Sequence, residues 1–266
     1  FQRFKSCSFA IGQFSLMIDC HCHLADNSFK EDADKVVQEA LQSGVNQLIV
    51  VCEYADQAEK IIELSKNWKG IILPSSGVHP IQKRNKTVQI KHFELIESLI
   101  RKYQSQLVCI GEIGLDFSPR YKLTDEQKSL QIEVFKRQLD LAKEFSLPVN
   151  IHSRAASLDT LSVLSSYSLP CLLHAFDGDD ESIRTALRMG CFLSVAPAFT
   201  TSAQGERIVS LSPISQLLLE SDSPALGVEK GRNEPSSISI SANFIARIKG
   251  ISMEEVIAAT TLNAKR

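Results

Sequence analysis

The chain has 266 residues, of which 44% are hydrophobic and 23% charged, and its formal net charge is −2. That length suits one α/β barrel, and the balance is that of a globular protein with a sizeable core. A charge so near neutrality excludes a strongly basic coat for indiscriminate nucleic-acid binding, while leaving room for a local positive patch.

The first ten residues, FQRFKSCSFA, carry positive charge without a long apolar core, and no later stretch approaches the length of a membrane span. Residues 1–14 therefore read as an N-terminal extension, flexible or processed, and residues 15–266 as a single barrel. Seven cysteines, five of them in or beside apolar runs, point to buried free thiols in a reducing compartment. The expected location is intracellular, in cytoplasm or nucleus, with an organelle left open.

Eight short apolar runs follow in chain order: SLMIDC, QLIVVC, GIILPSSG, LVCIGEIG, PVNIHS, CLLHAF, CFLSVA and LLLESD. Most are continuously apolar rather than alternating, as in parallel strands covered on both faces. Helical stripes lie between them, such as Phe93, Ile96, Leu99 and Tyr103, or Ile132, Phe135, Leu139 and Ala142. Thr124 with Gln127, and Ser252 with Glu255, have the spacing of capping boxes. Gly44, Gly70, Gly190 and Gly250 stand where helices end. Repeated βα units of this kind predict a TIM-like (β/α)8 barrel, with some distortion allowed. No glycine-rich nucleotide loop is present, since GEIGLD has neither the G-x-G-x-x-G spacing nor a P-loop Lys-Ser/Thr pair.

Polar residues gather at the ends of the apolar runs. His21 and His23 follow Leu16–Ile18, and alternation places both on one strand face together with Asp19. Glu112, His152, His174 and Asp222 end later runs. A parallel barrel collects all its C-terminal strand ends on one face, so these six side chains converge. Singly, a strand-end histidine is a hydrogen bonder, and an aspartate before Ser-Pro is a turn cap. Together they are costly to bury unless metals satisfy them. Four histidines and two carboxylates suffice for two divalent ions, with Glu112 the expected bridge because a carboxylate offers two oxygens. Zn²⁺, Mg²⁺ and Mn²⁺ all remain open. His79, in GVHP, falls on the same face as a substrate or supporting group. His92, at the start of a helix, reads as solvated. Arg154, two residues after His152, is suited to a phosphate because a guanidinium makes a bidentate fork. Lys83, Arg84, Lys86, Arg120 and Lys122 crowd the neighbouring loops, and Phe117 and Phe176 are candidates to stack a base.

IDCHCHL, GVHP, GEIGLDF, VNIHSR, LLHAFDG and LESDSPAL, in this order and spacing, resemble the TatD family of metal-dependent deoxyribonucleases within the amidohydrolase-like barrels. The resemblance runs from about Leu16 to Ala264. It implies His21 and His23 as first-strand metal ligands, Glu112 as the shared carboxylate, and His152 and His174 as later ligands. Asp222 then touches both metal and attacking water, His79 lies by the scissile phosphate and Arg154 near it. The catalytic set is thus Asp222, Glu112 and His79, and the substrate contacts are Arg154 and His79. Ser221 stands where the family commonly has Thr. The implied activity is hydrolysis of DNA, trimming single-stranded or frayed 3′ ends with two divalent ions per subunit. DNA is the only partner expected: no membrane, no obligate protein partner, a monomer. Two other readings stay in view. One is a metal-dependent amide or ester hydrolase, for example an aminoacyl-tRNA deacylase, and the other a non-catalytic nucleic-acid-binding protein.

Overall fold

A computed structural model describes residues 16–266, so residues 1–14 and Cys7 lie outside the described residues. In chain order the strands are β1 (Met17–Cys22), β2 (Val45–Val50), β3 (Ile72–Ser76), β4 (Ile81–Gln82), β5 (Lys86–Thr87), β6 (Cys109–Asp116), β7 (Val149–Arg154), β8 (Cys171–His174), β9 (Phe192–Val195) and β10 (Leu217–Leu219). The helices are α1 (Ala33–Gln42), α2 (Ala58–Asn67), α3 (Ile90–Tyr103), α4 (Asp125–Phe145), α5 (Ser157–Leu164), α6 (Asp180–Arg188), α7 (Ala203–Leu211), α8 (Ile238–Lys249) and α9 (Met253–Ala264). Eight strands make one parallel sheet in the order β1-β2-β3-β6-β7-β8-β9-β10, and β4 and β5 form a small antiparallel hairpin. Each of the eight apolar runs overlaps one of the barrel strands, as the expected (β/α)8 class requires.

The barrel departs from regularity at its seam. β1 and β10 are the two ends of the sheet. Beyond the end of β10 the chain closes the gap itself: Asp222 N donates to His21 O at 2.9 Å, and His23 N donates to Ser223 O at 2.8 Å. Asp19 adds a side-chain clasp. Its carboxylate accepts from Ser221 Oγ at 2.6 Å and from Ser221 N at 3.0 Å. Asp19 thus spends its oxygens on the seam rather than beside His21 and His23. A Ser at position 221 supplies the hydroxyl this clasp needs.

The helices bury their apolar stripes against the outside of the barrel. Val36, Val37 and Ala40 on α1, Phe93, Ile96 and Ile100 on α3, and Phe135, Leu139 and Ala142 on α4 are all inside. Each large side chain removed from water contributes about 1.5–3 kcal/mol. Thr124–Gln127 and Ser252–Glu255 both form capping boxes, and Gly44, Gly70, Gly190 and Gly250 all take positive φ. The six described cysteines are buried and free, with Cys171 and Cys191 facing one another.

Two buried glutamines on α4 transmit this packing to the barrel mouth. Gln138 accepts from Val78 N at 2.8 Å and donates to Val78 O at 3.1 Å, pinning the loop that carries His79. Gln131 does the same for the backbone of Asp116. At Gly114, φ is +141° and an added Cβ would meet His152 O at 2.0 Å. Gly114→Ala is therefore expected to destabilise the fold by about 3 kcal/mol, through strain and overpacking. Denaturant unfolding would check this, and a loss under about 1 kcal/mol would contradict the close approach of β6 and β7.

Candidate metal centre

The C-terminal ends of the strands meet in a pocket of about 350 Å³, lined by His23, His79, Glu112, His152, His174 and Asp222 among others. Glu112 is at its centre. It lies in the middle of β6 rather than at the strand end, because β6 runs on to Asp116 after a register shift between Ile110 and Ile113. The two oxygens of Glu112 face opposite ways. Oε2 is 3.7 Å from His21 Nε2 and 3.6 Å from His23 Nε2. Oε1 is 2.8 Å from His174 Nε2, 2.9 Å from His152 Nδ1 and 3.7 Å from His79 Nε2.

Asp222 completes the first side. Its Oδ1 lies 3.4 Å from His21 Nε2 and 3.2 Å from His23 Nε2, and the two histidine nitrogens are 3.1 Å apart. Four donors at tetrahedral corners around a zinc-sized ion, each about 2.1 Å from it, stand about 3.4 Å from one another. The two histidine nitrogens keep about this spacing from each other, from Glu112 Oε2 and from Asp222 Oδ1, and His21, His23 and Glu112 form a group able to hold an ion. Asp222 also holds φ at 51°, an uncommon backbone state for a non-glycine residue and one that clusters at working sites. The other side, His79, Glu112 and His152, is likewise a group able to hold an ion.

The rings are aimed from behind. His21 Nδ1 is 2.8 Å from Asn150 Oδ1, while Asn150 Nδ2 donates to Cys20 O at 2.9 Å. The amide is thereby oriented, so His21 donates from Nδ1 and turns the Nε2 lone pair toward the pocket. His152 Nε2 is backed by Asp116 Oδ2 at 3.3 Å, which leaves Nδ1 for the Glu112 side. The Glu220 carboxylate stands behind His174 Nδ1 at 3.7 Å and is itself held by Ala175 N and Ser194 Oγ. Hydrogen-bonded backing of the kind seen at His21 and His152 fixes tautomer and ring angle and is worth 10–100-fold in metal affinity. Asn150→Ala is accordingly expected to weaken metal binding by about 30-fold, read by competition with a chromogenic chelator. An unchanged affinity would remove Asn150 from the site.

Electrostatics sort the histidines into two sets. Burial, helped by nearby His174, pushes His21 down to about 3, and burial with His152 pushes His79 down to about 4. For His23, burial is overcome by the bond to Asp222 and the Glu112 charge, and its pKa rises to about 9. His174 lies well above the usual range because the Glu112 charge outweighs burial. Glu112 is held well below its range: burial opposes its charge, but His79, His174 and the bonds from His152 and His174 prevail. His79 Nδ1 is 2.9 Å from Ile81 O and 3.0 Å from Ile81 N, which correspond to its two neutral tautomers.

All eight site residues named from the sequence are brought together here: seven line the pocket, Arg154 at the rim with Arg84 and Arg120, and His21 is buried against His23, Glu112 and Asp222. Phe117 and Phe176 are not in the pocket. Phe176 is fully buried in the core, and Phe117 packs against that core under Lys128. The aromatic rings at the mouth are Tyr54 and Tyr121. Asp116, Asn150, Glu220 and the rim carboxyl of Glu53 also went unassigned in the sequence. The first three lie within or beside the motifs already quoted.

Imidazole and carboxylate donors gathered at the mouth of a parallel barrel are the equipment of a metal-dependent hydrolase. The profile of the TatD related DNase family matches residues 18–266, and this chain belongs to that family. Deoxyribonuclease TATDN3 of Homo sapiens is 44% identical over 93% of this chain and 93% of its own length. The 3′-5′ ssDNA/RNA exonuclease TatD of Erwinia tasmaniensis is 30% identical over 94% of this chain and 98% of its own. The crystal structure of YJJV, a TatD homolog from Escherichia coli, superposes with a TM-score of 0.83 at 24% identity, covering 94% of this chain and 96% of that one, and shows the shared fold. The protein is a metal-dependent hydrolase acting on ester bonds. Among its described residues, no helix is long and apolar enough to cross a membrane.

Proposed function

We propose that the chain hydrolyses phosphodiester bonds of DNA at single-stranded or frayed 3′ ends, with two divalent ions held on either side of Glu112. The observation that carries this reading is the two-faced Glu112, with donors on both oxygens, under a rim bearing Arg84, Arg120 and Arg154. The rim cations favour a phosphate over an uncharged carbonyl, and the names of the human and Erwinia relatives point the same way. His21, His23, Glu112 and Asp222 would hold one ion, and Glu112, His152 and His174 the other. Bound there, the ions supply Lewis-acid charge stabilisation and a more acidic water.

The chain's own groups do the rest. Asp222 has one oxygen turned to the histidines, and its other oxygen accepts the proton of the attacking water. The water oxygen bonds to phosphorus, the P–O3′ bond breaks, and the leaving oxygen takes a proton from solvent. Arg154 forks onto non-bridging phosphate oxygens. His79, neutral and protonated on Nε2, donates to one of the same two oxygens while its Nδ1 accepts from Ile81 N. A ring pushed down to about 4 is too weakly basic to deliver a proton near neutral pH, so His79 positions rather than protonates.

The test uses metal-stripped protein reloaded with Mg²⁺, Mn²⁺ or Zn²⁺, on single-stranded DNA labelled at either end. Immediate release of the 3′ label as a mononucleotide, with a ladder from the 5′ label, is expected. Folded, metal-loaded protein that leaves both labels intact would overturn the proposal. Turnover of an aminoacyl-tRNA by that same protein would replace it with the amide or ester hydrolase reading.

A further inference from the structure

Beside the metal pocket lies a second, larger basin of about 710 Å³. The two cavities share Tyr54, Gln82, Asn85 and Tyr121, so they adjoin as two parts of one groove divided by a ridge. The ridge between them is the β4–β5 hairpin. It is anchored to the site, because Gln82 Nε2 donates to His79 O at 2.8 Å and to Glu53 O at 3.2 Å. Its tip is strained: Arg84 and Asn85 both hold positive φ, at 62° and 57°. This tip turns Arg84 into the metal pocket while Lys83 and Lys86 line the outer basin.

The outer basin is positive although the whole chain is not. Lys83, Lys86 and Lys91 line it against one carboxylate, Asp56, which pairs with Lys83. Lys86 and Lys91 are exposed, and among the described residues neither is in an ion pair. Lys91 sits in the first turn of α3, which has no acidic residue there. A cation at that position works against the helix dipole, so stability does not account for it. At the junction, Tyr54 and Tyr121 are half-buried, with Lys83 Nζ 5.3 Å and Arg120 Cζ 4.6 Å from their ring centres. A positive groove with aromatic platforms suits single-stranded nucleic acid, because every base has a π-face and every linkage a charge.

We propose that this groove carries a single nucleic-acid strand away from the metal centre, the outer basin holding phosphates 5′ of the scissile bond and the two tyrosines stacking bases at the junction. The assignment of the 5′ side rests on the phosphodiesterase reading above.

The test is binding, in EDTA, of fluorescein-labelled dithymidylate and octathymidylate to the intact protein by anisotropy. The longer strand is expected to bind at least about tenfold more tightly. In Lys86→Ala/Lys91→Ala that gain falls below about threefold. The dependence of log K on log salt also becomes shallower by about 1.4, the value for two lost phosphate contacts on a single strand. Tyr121→Leu weakens the longer strand by about tenfold while leaving the salt slope in place, as loss of a stacking platform requires. Equal affinity for the two lengths, or a length gain that survives in the double variant, overturns the proposal. Tighter binding of an octamer duplex than of the single strand would also overturn it. Failure of the phosphodiesterase reading registers separately, as metal-loaded wild-type protein that leaves bis(p-nitrophenyl) phosphate intact.

Discussion

Glu112→Gln is expected to reduce phosphodiester hydrolysis by about 10³-fold or more while leaving the barrel folded. The amide has nearly the shape of the carboxylate, but only one of its two ends is an acceptor. In the native protein Oε1 meets His152 and His174 at 2.9 and 2.8 Å, and Oε2 meets His21 and His23 at 3.7 and 3.6 Å. Whichever way the amide turns, an NH₂ group faces one set of nitrogens whose lone pairs an ion needs. The negative charge that both sets share is lost as well. Metal content should therefore fall by at least one ion per chain, measured by elemental analysis of protein reloaded and desalted. Metal stabilisation of transition-state charge is worth several kcal/mol, and each 1.36 kcal/mol is tenfold, which sets the expected loss of rate. A variant with full metal content and near-native rate would show that Glu112 bridges nothing.

Much of this arrangement was legible in the sequence because a parallel barrel is a simple map. Continuous apolar runs mark strands, and each strand's C-terminal end falls on one face. The positions of His21, His23, Glu112, His152, His174 and Asp222 in the chain therefore fix which side of the protein they share. What stayed hidden depends on register and on partners far away in sequence. Asn150 reaches His21 across 129 residues, and Asp116 reaches His152 across 36. Glu112 reads as a strand end, but β6 continues for four more residues, and that extension is what brings Asp116 behind His152. The aromatic residues illustrate the same limit. Phe176 directly follows the His174 motif, yet it turns into the core from Ala175, which has φ of 40°. Tyr54 and Tyr121 carry no signal of their own and reach the mouth only because their loops and the β4–β5 hairpin surround it. That hairpin, with two-residue strands, is too short for any periodicity to announce.

Metal-free and metal-loaded protein are expected to respond to pH in opposite directions between pH 7 and 9. Without metal, His23, with its pKa raised to about 9, and His174, raised well above its usual range, are imidazolium ions facing Glu112 and Asp222. For His23 the folded value lies above the unfolded one of 6.5, so its contribution to stability is fully present below pH 6.5 and is lost as pH rises through about 9. An ion needs the lone pairs of these same nitrogens, so binding at pH 7.5 expels about two protons. Rising pH therefore tightens metal binding while it weakens the metal-free fold. Once metal exceeds its dissociation constant, each further hundredfold gain in affinity adds about 2.7 kcal/mol of linked stability. Asp19, raised to about 7 by burial, loses its contribution as pH rises in either state and cancels from the comparison. Melting temperatures with and without Zn²⁺ at pH 7 and 9, together with calorimetric titrations in buffers of different ionisation enthalpy, measure both effects. Parallel pH slopes, or a binding enthalpy independent of the buffer, would mean that His23 and His174 do not surrender protons to a metal.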